Sequence, residues 1–171
     1  ATCIVGCGRV VKSSFGEGET AGPEYETLAM LGSMCLVDDL KVLAKANELC
    51  NRYGLDTMST GAVIAFAMEA YERKLIKPEE IKNLELNWGS AESVIQLIHM
   101  IARREGIGRI LGEGVERASE KIGGIASEFA LHVKGLELPA HDPRAYNSVG
   151  LAYATSYLGA SHMQGMTHVF E

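Results

Sequence analysis

The sequence predicts an all-α, multihelical fold, and three observations predict it. Apolar residues recur at helical spacing in one segment after another from residue 38 onward. Helix stop signals close several of those segments: Gly54, the pair Arg103-Arg104 followed by Gly106, and Gly123-Gly124. Strand signals are poor, because alternating runs are short and no Asn-Gly or Asp-Gly turn joins two of them.

In chain order, Gly22-Pro-Glu-Tyr-Glu-Thr27 reads as a turn leading into a helix from Leu28, with Glu24 and Glu26 near its positive end. Asp38 and Asp39 open the next helix, in which Leu40, Leu43, Ala44, Asn47 and Cys50 share a face. It stops at Gly54, the residue that best tolerates a left-handed closing turn. Another helix runs from about Thr60 to Leu75, with Ile64, Ala67, Met68 and Tyr71 inward. Pro78 starts a short turn, and Ser90 caps a helix carrying Val94, Leu97, Ile98 and Ile101 on one stripe. A further helix spans about Ile110 to Ile122. Pro139 and Pro143 make 136–144 an irregular loop, and a last helix covers about Ala145 to Leu158. The loop at 125–144 is the candidate boundary between a first unit, 1–131, and a second, 132–171.

A chain of 171 residues is long enough for a proper core, and 47% hydrophobic with 22% charged residues is ordinary for a globular protein. A net charge of −6 argues against a general nucleic-acid binder. No apolar run approaches the roughly 20 residues needed to span a bilayer, so no membrane partner is expected. Four cysteines, irregularly spaced, do not make a disulfide framework, and a reducing cytoplasm fits them. Cys35 and Cys50 lie in apolar surroundings and read as buried thiols. Gly106-Ile-Gly108 and Gly112-Glu-Gly114 follow no strand and do not spell G-x-G-x-x-G, which excludes a dinucleotide fingerprint.

The most informative stretch is Asn51-Arg-Tyr-Gly54-Leu55-Asp56, followed by Thr-Met-Ser-Thr-Gly61. Gly54 ends one helix, Leu55 folds back onto it, and Asp56 is fixed on the turn before the next. Asp56 therefore reads either as a helix cap or as a carboxylate presented to a polar ligand. Cys3 and Cys7 are four apart and share a face if helical; two thiolates are too few for a cubane cluster by themselves. The five histidines, at 99, 132, 141, 162 and 168, show no H-x-x-x-H spacing, and a lone histidine such as His99 is more often structural than catalytic.

Four segments, in order, resemble the tungsten-containing aldehyde:ferredoxin oxidoreductase family, and together they cover nearly the whole chain. Asn51-x-x-Gly54-Leu55-Asp56 is similar to its pterin-binding segment, Cys3-Ile-Val-Gly-Cys7 to the end of its iron–sulfur motif, and Gly22-Pro-Glu-Tyr-Glu-Thr27 to its active-site glutamate segment. Leu136-Glu-Leu-Pro139-x-x-Asp142-Pro-Arg144, with Gly150-Leu-Ala-Tyr-Ala-Thr-Ser156 and His162, resembles its later active-site segment.

The resemblance implies a multihelical domain of that type, with 1–131 as most of the family's second domain and 132–171 as the opening of its third. It implies that Asn51, Gly54, Leu55 and Asp56 bind a pterin; the family commonly has Asp at the first position, and this chain has the uncharged Asn51. Cys3 and Cys7 match the second and third ligands of a [4Fe-4S] cluster, the others being expected three residues before Cys3 and beyond Glu171. Glu26, or else Glu24, would move a proton, and His162 would orient or polarise a carbonyl. The chain has no Glu-x-x-His pair of the kind some members use for an intersubunit iron.

The implied parent is a tungsten (or molybdenum) bis-pterin oxidoreductase that oxidises small aldehydes to carboxylic acids and passes electrons through the cluster to ferredoxin, with a homodimer as the default assembly. On this reading 171 residues alone hold neither a complete cluster nor a complete metal cofactor and are inactive. Two alternatives stay open: a subunit of an aromatic-thioester reductase of the same family, and a helical domain with no activity.

Overall fold

In the computed structural model the described residues are 4, 8–16, 18–82 and 84–171. Seven α-helical stretches and two small hairpins make up these residues, so the multihelical expectation holds. β1 (Val10–Lys12) pairs antiparallel with β2 (Glu19–Ala21). A single helical turn, α1 (Tyr25–Thr27), runs without a break into a π-helical stretch, Leu28–Ser33. Then come α2 (Leu40–Tyr53), α3 (Thr57–Glu72), a 3₁₀ turn at Pro78–Ile81, and α4 (Ala91–Arg103). After α5 (Gly108–Leu111) and α6 (Val115–Ile122), β3 (His132–Val133) pairs with β4 (Leu136–Glu137), and α7 (Asn147–Thr155) follows.

α3 is the axis of the core. Thr60, Gly61, Val63 to Met68 and Ala70 are all buried, so this helix is enclosed on nearly every side rather than along one stripe. The π-helical stretch, α4, α5 and α6 surround it, contributing Leu31, Val94, Leu97, Ile98, Leu111 and Val115 to one continuous core. α3 meets the π-helical stretch almost backbone to backbone. A Cβ added to Gly61 would stand 2.6 Å from the carbonyl carbon and oxygen of Met30, a separation that only glycine allows. The Cys35 thiol lies at the same contact, within reach of Met30 O at 3.5 Å on its own segment and of Gly61 O at 3.8 Å across it.

The helix ends obey the sequence signals closely. Asp39 caps α2, its carboxylate accepting from Lys41 N at 2.8 Å and Val42 N at 3.3 Å. Gly54 closes α2 with φ 69° and ψ 32°, and Ser90 caps α4. Arg104 takes the left-handed position after α4 at φ 55°, two residues ahead of Gly106.

Three boundaries differ from expectation. The helix expected over Ile110–Ile122 is two helices, α5 and α6, because Gly112 and Gly114 break it. α3 opens at Thr57, directly after its cap Asp56, and ends at Glu72, short of Leu75. α7 is shorter than 145–158 at both ends. The loop at 125–144 contains the β3–β4 hairpin, whose turn is Lys134-Gly135, both at positive φ (55° and 80°). Lysine in the first position of such a turn hides it from a search for Asn-Gly or Asp-Gly.

Two buried polar residues of α2 hold the first hairpin. Asn47 Nδ2 donates to Ala21 O at 2.9 Å. The Glu48 carboxylate, with its side chain 2% exposed, accepts from Ser13 Oγ at 2.7 Å, Ser14 N at 2.9 Å and Arg52 Nη2 at 2.7 Å. A buried carboxylate is tolerated only when donors surround it, and these do. Beyond the main core, Val149, Tyr153 and Ala160 form a separate small cluster with Val133 and Leu138.

Gly61→Ala is predicted to lower stability by about 1–3 kcal/mol, the range for overpacking a dense contact. Urea unfolding followed by circular dichroism measures it; a midpoint equal to wild type would show that the α3 contact is not tight.

Candidate functional site

Asp56 stands where the turn requires. Gly54 N–H bonds to Asn51 O at 3.3 Å and Leu55 N–H to Cys50 O at 2.9 Å, which closes α2 and sends the half-buried Leu55 back onto the core. Asp56 Oδ2 then accepts from Ser59 N at 2.7 Å, so the capping reading is met. Among the described residues no donor reaches its other carboxylate oxygen, and Asp56 is exposed. Asn51 lies exposed in the last turn of α2. Behind the turn the Cys50 thiol is pushed up to about 12, mainly by burial, with Thr60 hydrogen bonding opposing and the Asp56 charge reinforcing the shift.

A cavity of about 280 Å³ opens beside this turn, lined by Asp56, Ser59, Glu113, Gly112, Gly114 and Glu137 among others. Sequence reasoning missed Glu137. It is 7% exposed; its Oε1 accepts from Val115 N at 2.7 Å and its Oε2 from Ser59 Oγ at 2.9 Å. Because Ser59 also donates to Asp56, one chain of hydrogen bonds joins Asp56, Ser59, Glu137 and the start of α6. A Cβ on Gly114 would stand 2.9 Å from Glu137 Oε1, so the close approach of this carboxylate excludes a side chain there.

The second group lies one hydrogen bond away. Thr27 Oγ1 and Thr57 Oγ1 are 2.8 Å apart, and Thr27 and Thr57 directly follow Glu26 and Asp56. Glu26 is half-buried, whereas Glu24 is exposed. Glu26 Oε2 accepts from Ala140 N at 2.7 Å, and Oε1 faces His141 Nδ1 at 2.7 Å. A carboxylate only accepts, so Nδ1 of His141 carries the proton. His162 Nε2 stands 3.7 Å from the same Oε1. The structure thus brings Glu26 and His162 together and adds His141, which no spacing signal pointed to. His168 joins them, its ring 4.4 Å from that of His141. Cys3 and Cys7 lie outside the described residues. His99 is half-buried on α4 and bonded to Tyr53 Oη at 2.8 Å, a structural role.

Glu26, His141 and His162 place one ligand atom each within 4.8 Å of one another. Ring orientation argues against one shared ion in this arrangement. The two imidazoles are stacked, 4.3 Å apart and 9° from parallel, whereas a metal must lie near the plane of each ring it binds. The cluster as folded is a hydrogen-bonding site. Among the described residues, the buried side-chain polar atoms without a partner are Thr167 Oγ1 and His168 Nδ1. Orphans of this kind cost about 1–3 kcal/mol and mark a place where a further group would be bound favourably.

Electrostatics separate the members of the cluster. His162 is held below the ordinary histidine value, first by burial and next by His141; Glu26 opposes this and His168 adds to it. Nearby, Arg144 holds Asp142 down to about 2 by its side-chain and backbone hydrogen bonds. Tyr153 is pushed up by burial, then by Glu26 and Asp142; its hydroxyl donates to His141 O at 2.8 Å.

A family profile described as aldehyde ferredoxin oxidoreductase, domains 2 and 3, matches residues 1–171. The chain belongs to the aldehyde ferredoxin oxidoreductase family. It is 44% identical over 163 residues to the tungsten-containing aldehyde ferredoxin oxidoreductase of Pyrococcus furiosus, covering 95% of this chain and 26% of that protein. The aliphatic sulfonate oxidoreductase WOR-like subunit of the same organism is 33% identical over 169 residues, covering 94% and 27%. Among solved structures, the active-site complex BamBC of benzoyl coenzyme A reductase with 1,5-dienoyl-CoA aligns with a TM-score of 0.71 at 28% identity, over 88% of this chain and 23% of that one. The chain therefore spans about a quarter of the length of the relatives it matches. No helix among the described residues is long and apolar enough to cross a membrane.

The neutral imidazole of His162 is the form that folding favours, so its contribution to stability is fully present above the unfolded histidine value and is lost as pH falls through its folded one. NMR titration of the histidine ring protons is predicted to give His162 a value below 6.5. Glu26→Gln should lower it further, by removing a favourable negative charge, and His141→Asn should raise it. Unchanged titration in both variants would separate His162 electrically from its neighbours.

Proposed function

We propose that this chain is the second-domain portion, and the opening of the third, of a tungsten bis-pterin oxidoreductase that converts aldehydes to carboxylic acids, with the boundary between the two at 131/132. One observation carries the reading. In a chain that matches the family from end to end, the Asp56 turn and the Glu26–His162 cluster adjoin across the Thr27–Thr57 hydrogen bond.

The residues present fit a pterin. Its ring edge is rich in N–H donors, and the second carboxylate oxygen of Asp56 is an acceptor fixed in place by the helix it caps. The cavity beside it has the further carboxylates Glu113 and Glu137 in its wall. Asn51, Gly54 and Leu55 would add the neighbouring backbone and one neutral side chain. When bound, the tungsten group supplies the redox chemistry, accepting two electrons as the aldehyde gains an oxygen from water. The chain's own residues do the rest. Glu26 takes up a proton as water adds to the carbonyl, and His162 orients the carbonyl oxygen. A histidine held below its ordinary value is the neutral donor such a role needs near neutral pH. Cys3 and Cys7 would be two of the four thiolates holding a [4Fe-4S] cluster, whose chemistry would be electron transfer toward ferredoxin.

A second reading is supported by the benzoyl coenzyme A reductase likeness: the parent is a catalytic subunit that reduces an aromatic thioester inside a larger complex. Purification distinguishes the two, since that reading requires partner subunits and the first does not.

In the full-length protein, Asp56→Ala is predicted to cut bound tungsten and pterin severely and activity in proportion. Glu26→Gln is predicted to keep the cofactor and lose activity by on the order of a hundredfold or more, as for removal of a general base. Metal analysis and aldehyde-dependent dye reduction measure both. Full metal content with full activity in Asp56→Ala would rule out the site assignment.

A further inference from the structure

Glu26 is reached from two sides by a single short segment. Ala140 N donates to its Oε2 and His141 Nδ1 to its Oε1, each at 2.7 Å. Among the described residues, His141 is the one side chain that hydrogen-bonds Glu26; His162, at 3.7 Å, is too far.

The segment that carries His141 is itself locked. Tyr25 Oη donates to Ala140 O at 3.4 Å and Tyr153 Oη to His141 O at 2.8 Å. Pro139 is buried and Pro143 fixes the backbone on the other side. The His141 ring is confined as well. It lies flat against His162 at 4.3 Å and meets the edge of Tyr25 at 5.8 Å, and its side chain is 17% exposed. A ring clamped on its face and edge, with its backbone bonded on both sides, cannot follow a wandering carboxylate. The carboxylate must come to it.

We propose that His141 is a positioning residue for Glu26. Its Nδ1–H, with the Ala140 N–H, pins both oxygens of the carboxylate, so that Glu26 meets its substrate from one fixed position beside His162. The proposal rests on the reading of Glu26 as the proton-handling group.

The test uses the full-length, tungsten-loaded protein and the variants His141→Ala, His141→Asn and Glu26→Gln. Asparagine keeps an N–H donor close to where Nδ1 stands but cannot exchange a proton as imidazole does. His141→Ala should lower kcat on the order of tenfold to a hundredfold, the worth of one hydrogen bond to a charged group. KM should stay within about threefold, because the bond matters at the transition state. His141→Asn should recover most of kcat. In a crystal structure of the alanine variant, the Glu26 carboxylate should leave Ala140 N.

Full kcat in His141→Ala, or a Glu26 that stays in place without the imidazole, overturns the proposal. So does an asparagine variant as slow as the alanine one with Glu26 correctly held, because His141 would then be moving a proton itself. If Glu26→Gln keeps full activity, the reading of Glu26 fails. The position of Glu26 in the alanine structure then decides the positioning claim separately.

Discussion

The contact between α3 and the π-helical stretch governs the rest of the molecule. Gly61 lets the α3 backbone come down onto Met30, and the same face of α3, one turn earlier, presents Thr57 to Thr27. Residues 57 and 61 are four apart, so a single helix face makes both contacts. Widening this contact by a methyl group would separate not only two core segments but the two functional groups that flank the threonine pair. The π geometry fits the same requirement. Five-residue hydrogen bonds such as Met34 N to Ala29 O widen the helix where Met30 must lie flat against α3, and π turns of this kind recur at functional sites.

Directional polar ties connect the later part of the chain to this core. The small cluster of Val149, Tyr153 and Ala160 stands apart from the main core, and so cannot by itself fix where 132–171 sits. Two buried or half-buried carboxylates make the junction. Glu137 reaches back to Ser59 and Val115, while Glu26 reaches forward to Ala140 and His141. Hydrogen bonds are directional where apolar packing is not, and a buried carboxylate that loses its donors is expensive. These two ties therefore specify register as well as attachment. They also explain how a segment with two prolines and little regular structure is held well enough to present a histidine.

Local signals were read directly from the sequence. Gly54, Asp56, Asp39 and Ser90 act within one turn of where they stand, so a glycine stop or an oxygen cap means the same thing in most folds. Asp56 caps α3 as its place directly after the Gly54 stop predicts, and the helix starts at the next residue. The break between α5 and α6 was also visible in Gly112 and Gly114, but a continuous apolar stripe masked it. His141 and Glu137 could not be found this way. Their partners are 115 and 78 residues distant, and neither belongs to a metal or catalytic spacing. Only the hairpin with its Lys134-Gly135 turn brings Glu137 to Ser59, and that turn lacks the usual residue at its first position.

The histidine cluster shows why proximity alone is a poor guide to chemistry. Three potential ligands within 4.8 Å suggest a cation, yet the parallel stack of His141 and His162 leaves no point in both ring planes. The stack has a different consequence. Two imidazolium rings 4.3 Å apart would repel in a half-buried site, so the pair tolerates one charge far better than two. His141 is the ring that hydrogen-bonds Glu26, and His162 is the ring that burial and its neighbours favour in the neutral form. Folding has thus divided two chemically identical side chains into an anchor for the carboxylate and a neutral donor beside it. Sequence order could not make that division, because it depends on which nitrogen each ring turns toward Glu26.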